Sequence, residues 1–278
     1  VEVIVIDDSP AQLVRAIVDQ LADGRVRYFR NPERLGTGLS YRRAIELATG
    51  ELLAVINDDD VWEATFLETL VGALLDFPQA AIAFADHWVL KGDVVDPEET
   101  DRLSELWGRA GLRSGLHQPF RQLAVIDRAV SIAIASVFRR EAVAATPIPA
   151  EVGGAYDLYL AYALSRGGAG AVYVDQRLSS WRVHDANQTK VRSCLRAEEN
   201  AAAMGLIAED PAFAELQRTL SRQYGESLWN VATRNLRYGS DRRALAAIWT
   251  ALRHRYSRPL LLLGPLLVPS AVRRRLWP

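Results

Sequence analysis

Two places in the sequence gather carboxylates in a way that can hold a cation. An apolar, β-branched run over residues 1–6 ends in Asp7-Asp8, and a second over residues 52–56 ends in Asn57-Asp58-Asp59-Asp60. Ligands of open α/β sheets bind beyond the carboxyl ends of the strands, so two such termini in one sheet share an edge. Three consecutive aspartates repel one another unless a cation or hydrogen-bond donors neutralise them. Oxygen ligands of this kind select a hard divalent ion, Mg²⁺ or Mn²⁺, which commonly keeps waters and phosphate oxygens in its shell. A carboxylate-held ion facing a pocket is a diphosphate site. A solvated acidic turn has the same composition, but this cluster terminates an apolar strand.

The elements that must position these acids alternate along the first two thirds of the chain. Strands are expected over residues 1–6, 25–29, 52–56 and 80–84, and helices over residues 11–21, 36–49 and 62–75. That alternation predicts right-handed crossovers and a mostly parallel sheet with flanking helices. Residues 91–118 are polar and poorly periodic and read as a long loop or lid. Strands at 131–138, 167–174 and 178–183 and a helix at 156–164 follow. After Thr189 the pattern is helical, over residues 195–207, 211–236 and 242–254. The expected organisation is an α/β domain over residues 1–190 and a helical C-terminal subdomain over residues 191–278. Residues 259–272 are apolar but broken by Gly264, Pro265 and Pro269, with Arg253, Arg255 and Arg258 before them and Arg273-Arg274-Arg275 after. Apolar residues flanked by arginine suit peripheral contact with a membrane interface near anionic lipid.

Composition narrows the function classes. At 49% hydrophobic and 24% charged residues the chain is globular rather than disordered. A net charge of −1 supplies no basic field for nucleic acid. The single cysteine, Cys194, rules out an internal disulfide framework, and the four histidines include no HExxH pair. No apolar run reaches the ~18 residues of a membrane span.

Four segments in register, EVIVIDDSP, NPERLGTGLSYRRAIELATGELLAVINDDDVW, YDLYLAYAL and WRVHDANQT, resemble family 2 glycosyltransferases of the GT-A (nucleotide-diphospho-sugar transferase-like) fold, over roughly residues 1–189. The helical tail is similar to those of bacterial cell-surface polysaccharide enzymes of that family. The resemblance implies an inverting transfer of a sugar from a nucleotide-diphosphate donor to a hydroxyl of a glycan or lipid-linked acceptor, in the cytoplasm, at the inner face of the plasma membrane. It implies a divalent cation, Mg²⁺ or Mn²⁺, as cofactor. By position, Asp8 matches the residue that bonds the nucleobase, Asp58 the one that touches ribose or sugar, and Asp59 the main metal ligand of the DxD-type motif. Asn57 stands where many members have an acid, so Asp60 is a second candidate ligand. Arg42 and Arg43 match basic residues facing the diphosphate. His184 and Asn187 match a stretch that closes over the donor phosphates, where an imidazole can bind metal or phosphate.

Two departures accompany the resemblance. Ala155 occupies the position of the family's usual base, which leaves Asp157, with Glu151 upstream, as the nearest carboxylate to take the acceptor's proton. The family also has a strand and helix ahead of the point where this sequence opens, so a first βα unit is missing from it. These departures keep a non-catalytic, glycosyltransferase-like binding or scaffold protein as the alternative. A remoter alternative is a signalling receiver domain, which VIVIDDSP also resembles. A receiver requires a lone phosphoacceptor aspartate and a later lysine, whereas the chain has only Lys91 and Lys190, far from that place.

Overall fold

The computed structural model of the chain describes residues 1–10, 13–184, 193–254, 256 and 258–266. It divides into two compact units, Val1–His184 and Asp185–Pro278.

In the first unit, strand β1 (Val3–Asp7) runs parallel to β2 (Val26–Arg30), with helix α1 (Leu13–Leu21) as the crossover and Val3 opposite Val26. Among the described residues these two strands pair with no other. Helix α2 (Thr37–Leu47) then leads to β3 (Leu52–Ala54), β4 (Val61–Trp62) and α3 (Phe66–Asp76). Phe66, Leu70 and Leu74, spaced by one helical turn, form the buried face of α3. Next come β5 (Ala80–Lys91), β6 (Val94–Val95), α4 (Pro97–Leu106), β7 (Gly115–His117) and α5 (Arg121–Val125). The unit closes with β8 (Ser136–Arg139), α6 (Glu141–Ala144), α7 (Tyr156–Arg166) and β9 (Gly170–Val183).

The larger sheet has the order β3-β8-β5-β9-β4, with β6 on β5 and β7 on β9. It is mixed rather than mostly parallel. β5 and β9 run parallel, while β8 enters antiparallel between β3 and β5, and β4 lies antiparallel to β9. An apolar run buried on both faces carries no mark of its direction, so local pattern does not distinguish these pairings. The core gathers the buried face of α3 with Ala80, Ala83 and Ala85 of β5, Val137 of β8 and Val172 and Leu178 of β9.

Residues 91–118 are not an open loop. Asp96 caps α4 by accepting from the Glu99 N–H (2.9 Å), and Pro97 takes the first helical position. Just past α4, the buried Arg109 guanidinium pairs with Asp86 of β5 at 2.7 Å, and Ser104 donates to the same carboxylate at 2.7 Å. A buried charge persists only when paired in this way, and the pair fastens the segment to the sheet.

The second unit contains α8 (Ser193–Glu209), α9 (Gln217–Tyr238) and α10 (Asp241–Arg253), then a turn at Arg258–Leu262 and the short helix Leu263–Leu266. α9 packs against both α8 and α10, burying Met204, Ile207, Phe213, Leu220, Ala232, Leu236 and Ile248. Among the described residues no helix is long and apolar enough to cross a membrane.

Candidate active site

The Asn57–Asp60 turn sits where β3 ends, and its four side chains have different environments. Asp58 is exposed and Asp60 buried. Asp60 accepts from Asn57 Nδ2 (2.8 Å) and from the Arg182 N–H (3.0 Å), so both its oxygens brace the turn against β9. Burial lifts its carboxyl above the usual aspartate range, with Asp59 and Asp58 adding to the effect against the bonds from Asn57 and Arg182. Asp60, expected as a second ligand, gives one acceptor position on each oxygen to these internal donors. Asp59 is half-buried, and its Oδ2 lies 3.0 Å from His184 Nε2. Arg182 Nε donates to the Asp59 carbonyl (2.9 Å), and its Nη1 bonds Asp93 (2.7 Å) and the Gly92 carbonyl. The β4–β9 pairing that follows Asp60 directly is what draws His184 to Asp59. Asn187 lies outside the described residues.

The first acid pair serves the neighbouring turn. Asp8 accepts from the Leu35 N–H (2.8 Å), the Gly36 N–H (2.8 Å) and Asn31 Nδ2 (2.9 Å). A carboxylate has about four acceptor positions, so three are taken before any ligand arrives. Asp7 is buried and takes the Tyr28 hydroxyl (2.6 Å) and the Ser9 N–H (2.9 Å). Arg42 pairs with Glu46 one turn along the exposed face of α2 (2.8 Å). Arg43 donates to the Arg30 carbonyl (3.0 Å) and to Asn31 Oδ1 (2.6 Å). Both are expected to face a diphosphate; Arg43 ties α2 to the end of β2, while the Arg42 pair is an exposed one within the helix itself.

The start of α2 joins the two acidic clusters. Gly36, held by Asp8, precedes its first residue, and Tyr41 donates from its hydroxyl to Asn57 Oδ1 (2.7 Å). Five residues of helix span roughly 8 Å, so α2 sets both strand ends on one rim, although not in one sheet as expected, because β1 pairs with β2 while β3 lies in the larger sheet. The Tyr41 ring stacks on Tyr156 at the start of α7, with centroids 4.1 Å apart. Burial pushes the Tyr41 hydroxyl above the ordinary tyrosine range, and the carboxylates of Asp157, Asp60 and Asp58 push it further, against a bond from Tyr156. Three carboxylates from two elements therefore lie within electrostatic reach of one phenol.

Asp157, in the first turn of α7, accepts from the Ala133 N–H (2.8 Å), and Ala133 bridges to Val55 at the end of β3. The neighbouring Ile134 has φ +74°, and the Ala135 N–H closes on the Ala133 carbonyl around it (3.0 Å), a γ-turn of the rare strained hand. The Ile134 N–H donates to the Val55 carbonyl (2.9 Å), and Trp62 Nε1 donates to the Ile134 carbonyl (2.8 Å), so the turn is over-determined. Ala155, at the usual base position, is buried. Tyr41, Tyr156 and Ala133 are not marked in the sequence, because helix-borne tyrosines and a backbone N–H carry no motif.

The sequence pattern that defines Glycosyl transferase family 2 matches residues 1–141, just over half of the chain. The chain belongs to that family. The Escherichia coli (strain K12) protein named "Putative colanic acid biosynthesis glycosyl transferase WcaA" is 30% identical to it over 95 residues. That match covers 34% of each chain, so it spans about a third of that relative's length. Among solved structures, S. aureus TarS 1–349 is similar over 91% of this chain and 70% of its own, with a TM-score of 0.60 at 15% identity. The Pyrobaculum calidifontis mannosyltransferase PcManGT, solved with GDP-Man and Mn²⁺, is similar over 99% of this chain and 78% of its own, at a TM-score of 0.54 and 18% identity. TarS 1–349 in complex with UDP gives 0.54 at 14% identity, over 95% of this chain and 82% of that one. At these identities the likeness shows the fold, which is GT-A.

Among the described residues no three His, Cys, Asp or Glu side chains form a ready metal cage. The residues nevertheless fit a divalent ion of the kind this family implies. Asp59 and His184 supply one oxygen and one nitrogen 3.0 Å apart, with Asp58 exposed beside them. Mg²⁺ is commonly held by one or two carboxylates, completing its shell with waters and substrate phosphates, and imidazole suits the softer transition ions.

Proposed function

We propose that this family 2 member transfers a sugar from a nucleotide-diphosphate donor to a hydroxyl of a glycan or lipid-linked acceptor, with a divalent cation and inversion at the anomeric carbon. We place it in the cytoplasm, at the inner face of the plasma membrane. What supports the reading is that Asp157, Asp60 and Asp58 all act on the Tyr41 hydroxyl, with the Asp59–His184 pair in the same turn, on the rim where β1 and β3 end. The GDP-Man, Mn²⁺ and UDP of the similar solved structures point the same way.

Each residue then has a distinct job. Asp59 and His184 would hold the cation, which when bound would neutralise charge on the leaving diphosphate. Asp58 accepts from ribose or sugar hydroxyls. Asp8 steadies the Leu35-Gly36 turn and takes a base imide N–H on its remaining acceptor position. Asp157, oriented by the Ala133 N–H, takes the proton from the acceptor hydroxyl as that oxygen bonds to the anomeric carbon and the bond to the diphosphate breaks.

A thermal-shift panel of nucleotide-diphosphate sugars with Mn²⁺ tests the donor site. A donor at about a hundred times its Kd adds about 2.7 kcal/mol to folding stability and raises Tm accordingly. Asp59→Asn should abolish the Mn²⁺-dependent part of that shift. Asp157→Asn should retain the shift and lose transfer by roughly 10²- to 10⁴-fold. A non-catalytic binder predicts instead that the protein transfers and hydrolyses nothing, with Asp157→Asn indistinguishable from wild type.

A further inference from the structure

Helix α10 of the second unit buries Ala244, Ala247, Ile248 and Ala251. Its opposite side carries Arg242, Leu245, Trp249 and Arg253, spaced by three, four and four residues and hence on one face. All four are exposed, Trp249 by 64% and Leu245 by 39%. The turn at Arg258–Leu262 packs against α9 and α10, burying Pro259 and Leu262 while Leu260 and Leu261 face outward, Leu261 by 73%. Leu263 follows, also exposed. A soluble surface has no use for five large apolar side chains on consecutive elements, an indole among them. From Asp241 onward the chain has eight arginines and no further Asp or Glu.

We infer that the exposed face of α10 and the 258–263 segment form a docking surface for an anionic lipid bilayer. Trp is the residue that best occupies the boundary between headgroups and acyl chains, with its ring in the apolar layer and its N–H in the wet one. Exposed leucines enter the same layer, and arginines at both ends of the stripe lie at headgroup depth, where each meets anionic phosphate. The one-sided charge selects this occupant. A second copy of the chain would bring Arg242, Arg253 and Arg258 of this face against themselves. The surface gives a structural basis to the membrane placement proposed above. Its test reads lipid binding alone, so it stands or falls apart from sugar transfer.

The full chain is sedimented with vesicles of phosphatidylcholine, or of phosphatidylcholine with about one third phosphatidylglycerol, at an ionic strength of about 0.1 M. Binding to the anionic vesicles is expected, at least tenfold tighter than to neutral ones, and weakening as salt is added. Arg242→Gln and Arg253→Gln should each weaken it about fivefold, the worth of one basic residue near such a surface. Trp249→Glu should weaken it more than either. All three positions are exposed, so Tm should be unchanged, and a lowered Tm would be answered with Leu245→Gln, which removes apolar area without adding charge. Failure to sediment with anionic vesicles overturns the proposal, as does wild-type binding by all of these variants. A mass in light scattering that falls to the monomer with Trp249→Glu, with no lipid dependence, would identify a self-association face and overturn it equally.

Discussion

Gly38 offers a test in which two physical effects predict opposite signs. It is the second residue of α2 and is buried. A Cβ built there lies 2.2 Å from the Gly153 carbonyl oxygen and 3.0 Å from its carbon, so the obstruction is backbone and cannot rotate aside. Gly153 itself has φ +48°, a conformation few other residues adopt. Helix propensity alone makes Gly38→Ala stabilising by up to about 1 kcal/mol. The contact demands a separation of more than an ångström, an overpacking that costs about 1–3 kcal/mol. The sum is a destabilisation of up to about 3 kcal/mol. Tyr156 and Asp157 lie three and four residues beyond Gly153, so the same displacement shifts the proposed base against Tyr41. A misplacement near 1 Å costs about 10²-fold in rate. Urea unfolding and initial rates read the two consequences. Gly72→Ala in α3 is the control, because nothing lies within 4 Å of its added Cβ, and it should stabilise by about 0.5–1 kcal/mol. If Gly38→Ala also stabilises and retains full rate, α2 and α7 are not in the contact described, and the argument for a shared rim fails.

Asp8→Ala leaves the Leu35 and Gly36 N–H groups without their acceptor and should cost about 1–3 kcal/mol before any ligand is considered, measured by urea denaturation. The loss should appear in the protein without nucleotide, which separates bracing of the turn from recognition of a base. His87, buried between Trp107 and Trp181, is held neutral, its pKa pushed down to about 3 by burial first and by the Arg109 charge second. The unfolded imidazole titrates near 6.5, so this contribution is complete above pH 6.5 and is lost as pH falls toward 3. Urea midpoints at pH 7.5 and 4.5 should therefore differ more in the wild type than in His87→Phe. Equal differences would remove His87 from the acid sensitivity.

How much of this was legible beforehand depended on whether the cause was local. The β-branched run of β1, the helical spacing of Phe66, Leu70 and Leu74, and the position of the acids at two strand ends are local, and all are visible in the residue order. Strand direction in the larger sheet is not, because β8 earns its antiparallel place between β3 and β5 from partners far along the chain. Helix α4 was missed although Asp96-Pro97-Glu98-Glu99 carries a capping aspartate and a first-turn proline, signals that a weak apolar period concealed. The arginines of α2 are expected at a diphosphate because they match basic positions of the family and their planar fork suits phosphate. Their actual partners, Glu46 four residues along the helix and the Arg30 carbonyl at the end of β2, follow from helix geometry and from β2's position. Asp8 shows the same limit from the other side, since nothing in an acid pair reveals that Asn31, Leu35 and Gly36 will take three of its acceptor positions.

The left-handed Ile134 has an effect out of proportion to its size. A branched residue at φ +74° stays there only because Val55 and Trp62 grip it on both sides, and its neighbour's N–H is what steadies Asp157. Swapping Ile134 for glycine would relax that backbone, but it would also remove a side chain only 5% exposed, at a cost of about 2–5 kcal/mol or more in lost packing, and would leave the carboxylate harder to keep still. One peptide thus serves the core and the proposed base together, and loosening it harms both.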